Sequence, residues 1–224
     1  MAEEGARPGL LRLAGWPAGL AILLSVLLPS AAAHAQCVGV TDITCFNTGT
    51  ISGLSLTATG NIAVTNSGTI VGGAAIGVDA NAGGTNTIIN SGSISGIPHA
   101  VRANAVTNLI TNSGVASGSS NGIFAIATGS NTITNTGTAS STVNGIVASA
   151  TISNTISNFG TVSGTGNIGL SAVAADNVIS NAGTITGAAQ ASSQPATTRS
   201  PTPARSQARP ATASSPIRPL PALS

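Results

Sequence analysis

Along most of this chain, apolar residues come in short runs of Ile, Val, Ala and Thr, broken by Asn, Gly and Ser. No apolar stripe at i, i+3, i+4 and i+7 lasts for a helix of about ten residues, and β-branched runs between turn formers predict strands. The segment 121–143 holds three such runs. The pattern then recurs. An Asn-x-Gly motif, seen fully in Asn66-Ser-Gly-Thr-Ile-Val-Gly72, begins at Asn47, Asn66, Asn90, Asn112, Asn135, Asn158 and Asn181, at steps of 19, 24, 22, 23, 23 and 23 residues. A period of this size, with three strands and three turns per copy, predicts a solenoid whose turns bury their apolar sides against one another. The expected fold is therefore all-β, a parallel β-helix (β-solenoid) of about seven rungs over residues 47–189. Rungs ~4.8 Å apart make a rod of roughly 30 Å.

Aligning the copies on the Asn yields two aliphatic columns. One stands two residues before it (Val64, Ile88, Ile110, Ile133, Ile156, Ile179). The other stands four after it (Ile51, Ile70, Ile94, Ala116, Ala139, Val162, Ile185). With three Phe and one Trp in the chain, these columns must supply most of the core, each buried Ile contributing roughly 1.5–3 kcal/mol. The Asn column itself (Asn66, Asn90, Asn112, Asn135, Asn158, Asn181) is expected to form a structural ladder of stacked amides. A second ladder is expected four residues earlier, at Asn86, Asn108, Asn131, Asn154 and Asn177. The Gly two places after each first-ladder Asn predicts a turn with positive φ.

Charge changes the picture at the two ends. Charged residues are 5% of the 224, Lys is absent, and 28 are Gly, against a usual charged share of about 25%. Between Gln36 and Gly187 only Asp42, Asp79, Asp176 and Arg102 are charged, so the repeats carry no footprint for nucleic acid. Residues 1–35 read as a signal peptide: Arg7 and Arg12, an apolar run from Leu13 to Leu28, then Ala33-His34-Ala35 before Gln36. The run falls short of the ~20 residues that span a membrane. Residues 36–46 hold Cys37 and Cys45, the only two cysteines. In an exported chain they are read as a disulfide stapling an N-terminal cap over the first rung. Free thiols are the alternative, and neither His34 nor His99 stands at a ligand spacing for a metal. Residues 190–224 hold seven of the eleven Pro, with Arg199, Arg205, Arg209 and Arg218 among Ala, Ser and Thr. They read as a disordered C-terminal tail. The repeats stop in full stride, so a truncated or frameshifted continuation stands beside a genuine Pro-rich stalk.

Asn-Ser-Gly-Thr-Ile-x-Gly repeats behind a signal peptide resemble the passenger regions of Gram-negative autotransporters, especially the adhesin-like ones. The resemblance covers about 36–189. It implies a right-handed β-helix, export to the cell surface or outside the cell, and a translocator β-barrel as partner. No run after Gly187 offers the eight or so amphipathic strands such a barrel needs, and no functional residues carry over.

Three function classes follow. The first is a surface or secreted interaction module, adhesin-like, binding an unknown surface or host ligand without catalytic residues, cofactor or metal. The second is a polysaccharide-acting enzyme. It would need two carboxyl groups within ~5–9.5 Å, whereas Asp79 and Asp176 lie four rungs apart and Arg102 stands alone. The third is an ice-binding or calcium-binding solenoid. Against it, Thr spacing reads as too irregular for a regular array, and the Gly/Asp nonapeptide of calcium solenoids is missing. Ile97-Pro98-His99-Ala100-Val101-Arg102 holds the only Pro, His and Arg of the repeats. It reads as a solvated turn and strand, with a binding spot as the alternative.

Overall fold

The structure, a computed structural model, describes residues 36–194. The signal-peptide reading of 1–35 and the tail from 195 onward lie outside the described residues. Eighteen strands and no helix make up the described part. The first is β1 (Gln36–Val38), which precedes the solenoid. The solenoid then has three sides. The first side is β2 (Ile43–Asn47), β5 (Ile62–Asn66), β8 (Thr85–Asn90), the second half of β10 (His99–Asn112), the second half of β12 (Asn121–Asn135), β15 (Ser153–Asn158) and β17 (Asp176–Asn181). The second side is β3 (Thr50–Ser52), β6 (Thr69–Val71), β9 (Ser93–Gly96), β11 (Val115–Gly118), β13 (Thr138–Ser141) and the starts of β16 (Thr161–Val173) and β18 (Thr184–Gln194). The third side is β4 (Leu54–Ala58), β7 (Val78–Ala82), the first halves of β10 and β12, β14 (Asn144–Ala150) and the ends of β16 and β18. All pairings between turns are parallel. Seven Asn-x-Gly corners bound six full turns, which refines the expected count of about seven. Pairing of β18 runs to Gln194, opposite Val173, five residues past the boundary expected at 189.

Both expected columns are continuous. Cys45 pairs with Val64, then Ile88, Ile110, Ile133, Ile156 and Ile179 in strict register. The second runs from Ile51 through Ile70, Ile94, Ala116, Ala139 and Val162 to Ile185. A third column, absent from the sequence reading, lines the third side. Val78, Val101, Ile123, Ile146 and Leu170 are all buried there, with Ala80, Ala103, Ala125, Ala148 and Ala172 two residues on. Alanine suits the centre of a narrow three-sided stack, where a larger side chain would meet the other two columns.

The corner glycines follow a different rule from the one expected. Positive φ occurs only at Gly39 and Gly73 among the described residues. The column is instead demanded by space. A Cβ on Gly92 or Gly114 would sit 1.9 Å from the carbonyl oxygen of the corner glycine one turn earlier, and one on Gly137, Gly160 or Gly183 would sit 2.1 Å from it. Backbone lies on backbone here, and any side chain would pry the turns apart. The unequal steps are absorbed elsewhere, mainly between the second and third sides and, by one residue, between the third and first at Ala105/Thr107. A single residue, Gly53, joins β3 to β4, whereas residues 72–77 join β6 to β7.

The N-terminal cap is a hairpin. β1 pairs antiparallel with β2, placing Cys37 opposite Cys45, and the two are disulfide-bonded. The bond staples a short extra strand over the open edge of β2, the remedy an exposed parallel edge needs. Asp42, in the hairpin loop, accepts from the Asn61 backbone N–H at 2.6 Å and so ties the cap to the second turn.

Two outcomes follow. Ile133 is fully buried whereas Thr132 points outward, so Ile133→Asp should cost several kcal/mol and Thr132→Asp far less, read by urea unfolding. Gly137→Ala should lose about 1–3 kcal/mol by overpacking, where a positive-φ account would leave neighbouring turns untouched. Amide hydrogen exchange in turns 114 and 160 should rise with it.

Candidate functional site

The buried asparagines are the most repeated polar feature. In the first ladder each Nδ2 donates to the Oδ1 of the next turn, from Asn47 to Asn66, Asn90, Asn112, Asn135, Asn158 and Asn181, at 2.7–2.8 Å. The second amide hydrogen is shared between the Gly carbonyl two residues on and a carbonyl of the next turn, as Asn112 does with Gly114 and Thr138. The second ladder, Asn86 to Asn177, runs the same way at 2.8–2.9 Å. It begins beneath Ile62, which occupies the same register position one turn earlier. Consequently the buried Asn86 Oδ1 has no donor. Apart from that oxygen, the amides between the ladder ends bond to one another and to backbone, which leaves them little to offer a ligand.

A third ladder was not foreseen, and it runs in reverse. Asn167 Nδ2 donates to Asn144 Oδ1, and Asn144 Nδ2 to Asn121 Oδ1, each at 3.0 Å. Asn121 therefore turns its Nδ2 to His99 Nδ1, also at 3.0 Å. Since Nδ1 must accept, the imidazole is neutral and carries its proton on Nε2. The His99 ring lies 4.9 Å from that of Phe124, tilted by 36°. Burial lowers its pKa below the ordinary 6.5, Arg102 lowers it further, and Asp79 opposes both. The available signal was the recurrence of Asn121, Asn144 and Asn167 at steps of 23 residues; the histidine at the head of the run had none.

Arg102 does not stand alone. It pairs in register with Asp79 one turn earlier. Its Nε and Nη2 donate to the two carboxylate oxygens at 2.8 and 2.6 Å, and this raises the guanidinium's pKa. The spacing of 23 residues was the available signal. Next in the same outward column comes Phe124, then Val147. Beside Asp79 lies an open depression of about 580 Å³, walled by Gly53, Gly72, Ala75, Ile76 and Pro98. It exists because the one-residue corner of the first turn sits under the long 72–77 connector of the second. Pro98, on the far wall, follows a cis peptide bond.

Asp176 joins none of this. It opens β17, in register with Ser153, Ser130, Thr107 and Thr85, so four turn steps, about 19 Å, separate it from the turn of Asp79. Among the described residues no three His, Cys, Asp or Glu side chains cluster as metal ligands. The arrangement thus defines a three-sided parallel β-solenoid with one ionic and aromatic patch on its third side. No protein-family model, curated protein or solved structure matches the chain.

The His99 environment sets a pH response. Its folded pKa lies below the unfolded value. The unfolded chain therefore binds the proton first as pH falls, and stability is full above about 6.5 and declines below it. A urea midpoint that drops from about pH 8 to 5, with the drop reduced in His99→Asn, is the expected result. In the first ladder, Asn135→Ala should cost about 1–3 kcal/mol because it strands a buried donor and acceptor on either side.

Proposed function

We propose that this chain is an exported β-solenoid of the autotransporter-passenger type, an adhesin-like module that holds a surface or host ligand and does not transform it. The supporting observation is the distribution of chemistry over the outward positions. Two sides present mostly Thr, Ser and scattered aliphatics, with a lone exposed Asp176 on the first. The ionic groups of the third are spent on each other: Asp79, the most enclosed carboxylate among the described residues, is occupied on both oxygens by Arg102. A carboxylate whose two oxygens both accept from one guanidinium is not aimed at a substrate proton, as a general acid or base must be. The solenoid offers instead a rigid surface of hydroxyl and amide groups, the kind of surface on which stacked-repeat proteins bind. With a single Arg among the described residues, nucleic acid is a poor partner. The translocator barrel that passengers use would be the display partner, and no cofactor enters this reading.

The test is paired. The full-length gene expressed in a Gram-negative host should yield protein that external protease removes from intact cells. The purified chain should bind immobilised glycans or matrix proteins while leaving pectin, glucan and glycosaminoglycan intact. Retention inside the cell would overturn the display half. Release of reducing or unsaturated ends that vanishes in Asp79→Asn would replace the binding half with the enzyme.

A further inference from the structure

The second side of the solenoid carries a pattern that the spacing of Thr along the chain had told against. Its seven strands, β3 to β18, pair in parallel without a single register shift between Thr50–Ser52 and Thr184–Thr186. On each strand the middle residue points inward and the two flanking residues point out. Strand by strand these outward pairs read Thr-x-Ser, Thr-x-Val, Ser-x-Ser, Val-x-Ser, Thr-x-Ser, Thr-x-Ser and Thr-x-Thr. Twelve of the fourteen positions bear a hydroxyl, and the other two, Val71 and Val115, have the shape of Thr. The uneven steps between copies do not disturb the array, because they are absorbed off this face, mainly at Gly53 and 72–77 and by one residue at Ala105/Thr107.

We propose that this face binds ice. Equivalent residues on successive turns stand about 4.8 Å apart, and the two ranks are about 6.6 Å apart along the strands. This two-dimensional net lies close to the oxygen repeats of hexagonal ice. Several features suit a solid-water ligand. In the first rank six of the seven residues are β-branched (five Thr and Val115) and stiff at χ1, so that rank is fixed before the ice arrives and little of its rotamer freedom is lost on contact. The second rank is mostly Ser. Among the fourteen, only Ser95 has a hydroxyl bond inside the protein, a long one of 3.5 Å to the Ile70 carbonyl. No charged side chain stands on the face, so no strongly held hydration shell competes with the lattice. Beneath it lie the second aliphatic column and the first amide ladder, which hold the strands in place.

Duplication of a repeat would make any outward column regular, so the other two sides are the control. The first has Phe46, Ile89, Leu109 and Val178 among its outward residues, all exposed. The third has Asp79, Arg102 and Phe124. Both have diverged where the second side has kept one chemistry. The inference stands apart from surface display and from the ligand proposed above.

The experiment uses the purified full chain in a cooling-stage osmometer, reading thermal hysteresis and ice-crystal shape. Wild type should hold a crystal unmelted and ungrown over a finite temperature gap and facet it. Thr138→Tyr, which breaks the net at its centre, should abolish the gap. Thr132→Tyr, on the neighbouring side of the same turn, should leave it unchanged. Far-UV circular dichroism checks that each variant keeps the fold, and Thr161→Lys replaces Thr138→Tyr if that one does not fold. Growth of smooth round crystals by wild type overturns the proposal, as does any other ranking of the folded variants.

Discussion

Everything in this structure depends on successive turns approaching to the distance of a β-sheet, about 4.8 Å, at every corner as well as along every side. Sheets impose that spacing on strands, but a corner must be told to obey it. The stacked glycines allow it, since a Cβ there would fall 1.9–2.1 Å from the previous turn's carbonyl. The stacked asparagines enforce it, since their amides meet at 2.7–2.8 Å only when equivalent residues lie directly over one another. Given that constraint, inward positions become continuous columns and outward positions become ranks. The same geometry explains both a core with little aromatic content and a surface of regular chemistry.

The constraint also explains where specialised chemistry is found. The depression beside Asp79 occurs where a one-residue connector and the 72–77 connector fall on adjacent turns. The ion pair, the imidazole and the phenyl ring gather on that same third side. Regularity gives the second side its uniform face, and irregularity gives the third side its pocket and its charges.

Much of this was legible in the order of residues, and the limits have physical causes. A column can be read when it sits at a fixed distance from the repeated Asn, as Ile88 and Ile110 do on one side of the corner and Ile70 and Ile94 on the other. The third column is only blurred by connectors of different length: Val101, Ile123 and Ile146 follow the marker by 11 residues, Val78 and Leu170 by 12. The same connectors made the hydroxyl spacing look irregular when it was counted along the chain. Pairing between Asp79 and Arg102 was hidden only by treating each charge singly, for they occupy one phase of the repeat. The role of the corner glycines was misassigned because a lone turn and a stacked turn ask for glycine for different reasons, and only the neighbouring turn distinguishes them. His99 at the head of an amide chain was beyond reach, since the donor sense of a ladder is set by partners and not by residue type.

The two long amide ladders share one sense: every Nδ2 faces the following turn and every Oδ1 the preceding one. Each amide is a small dipole, and those in a column add head to tail, so the solenoid is a polar stack in the way a polar crystal is. A cut between any two turns that both ladders cross exposes donors on one cut face and acceptors on the other. Two such faces heal only in the original orientation. Turns could therefore be deleted or inserted as whole units with the joint remaining correctly bonded, while a turn laid in backwards would set like against like. Length is free to vary; direction is not.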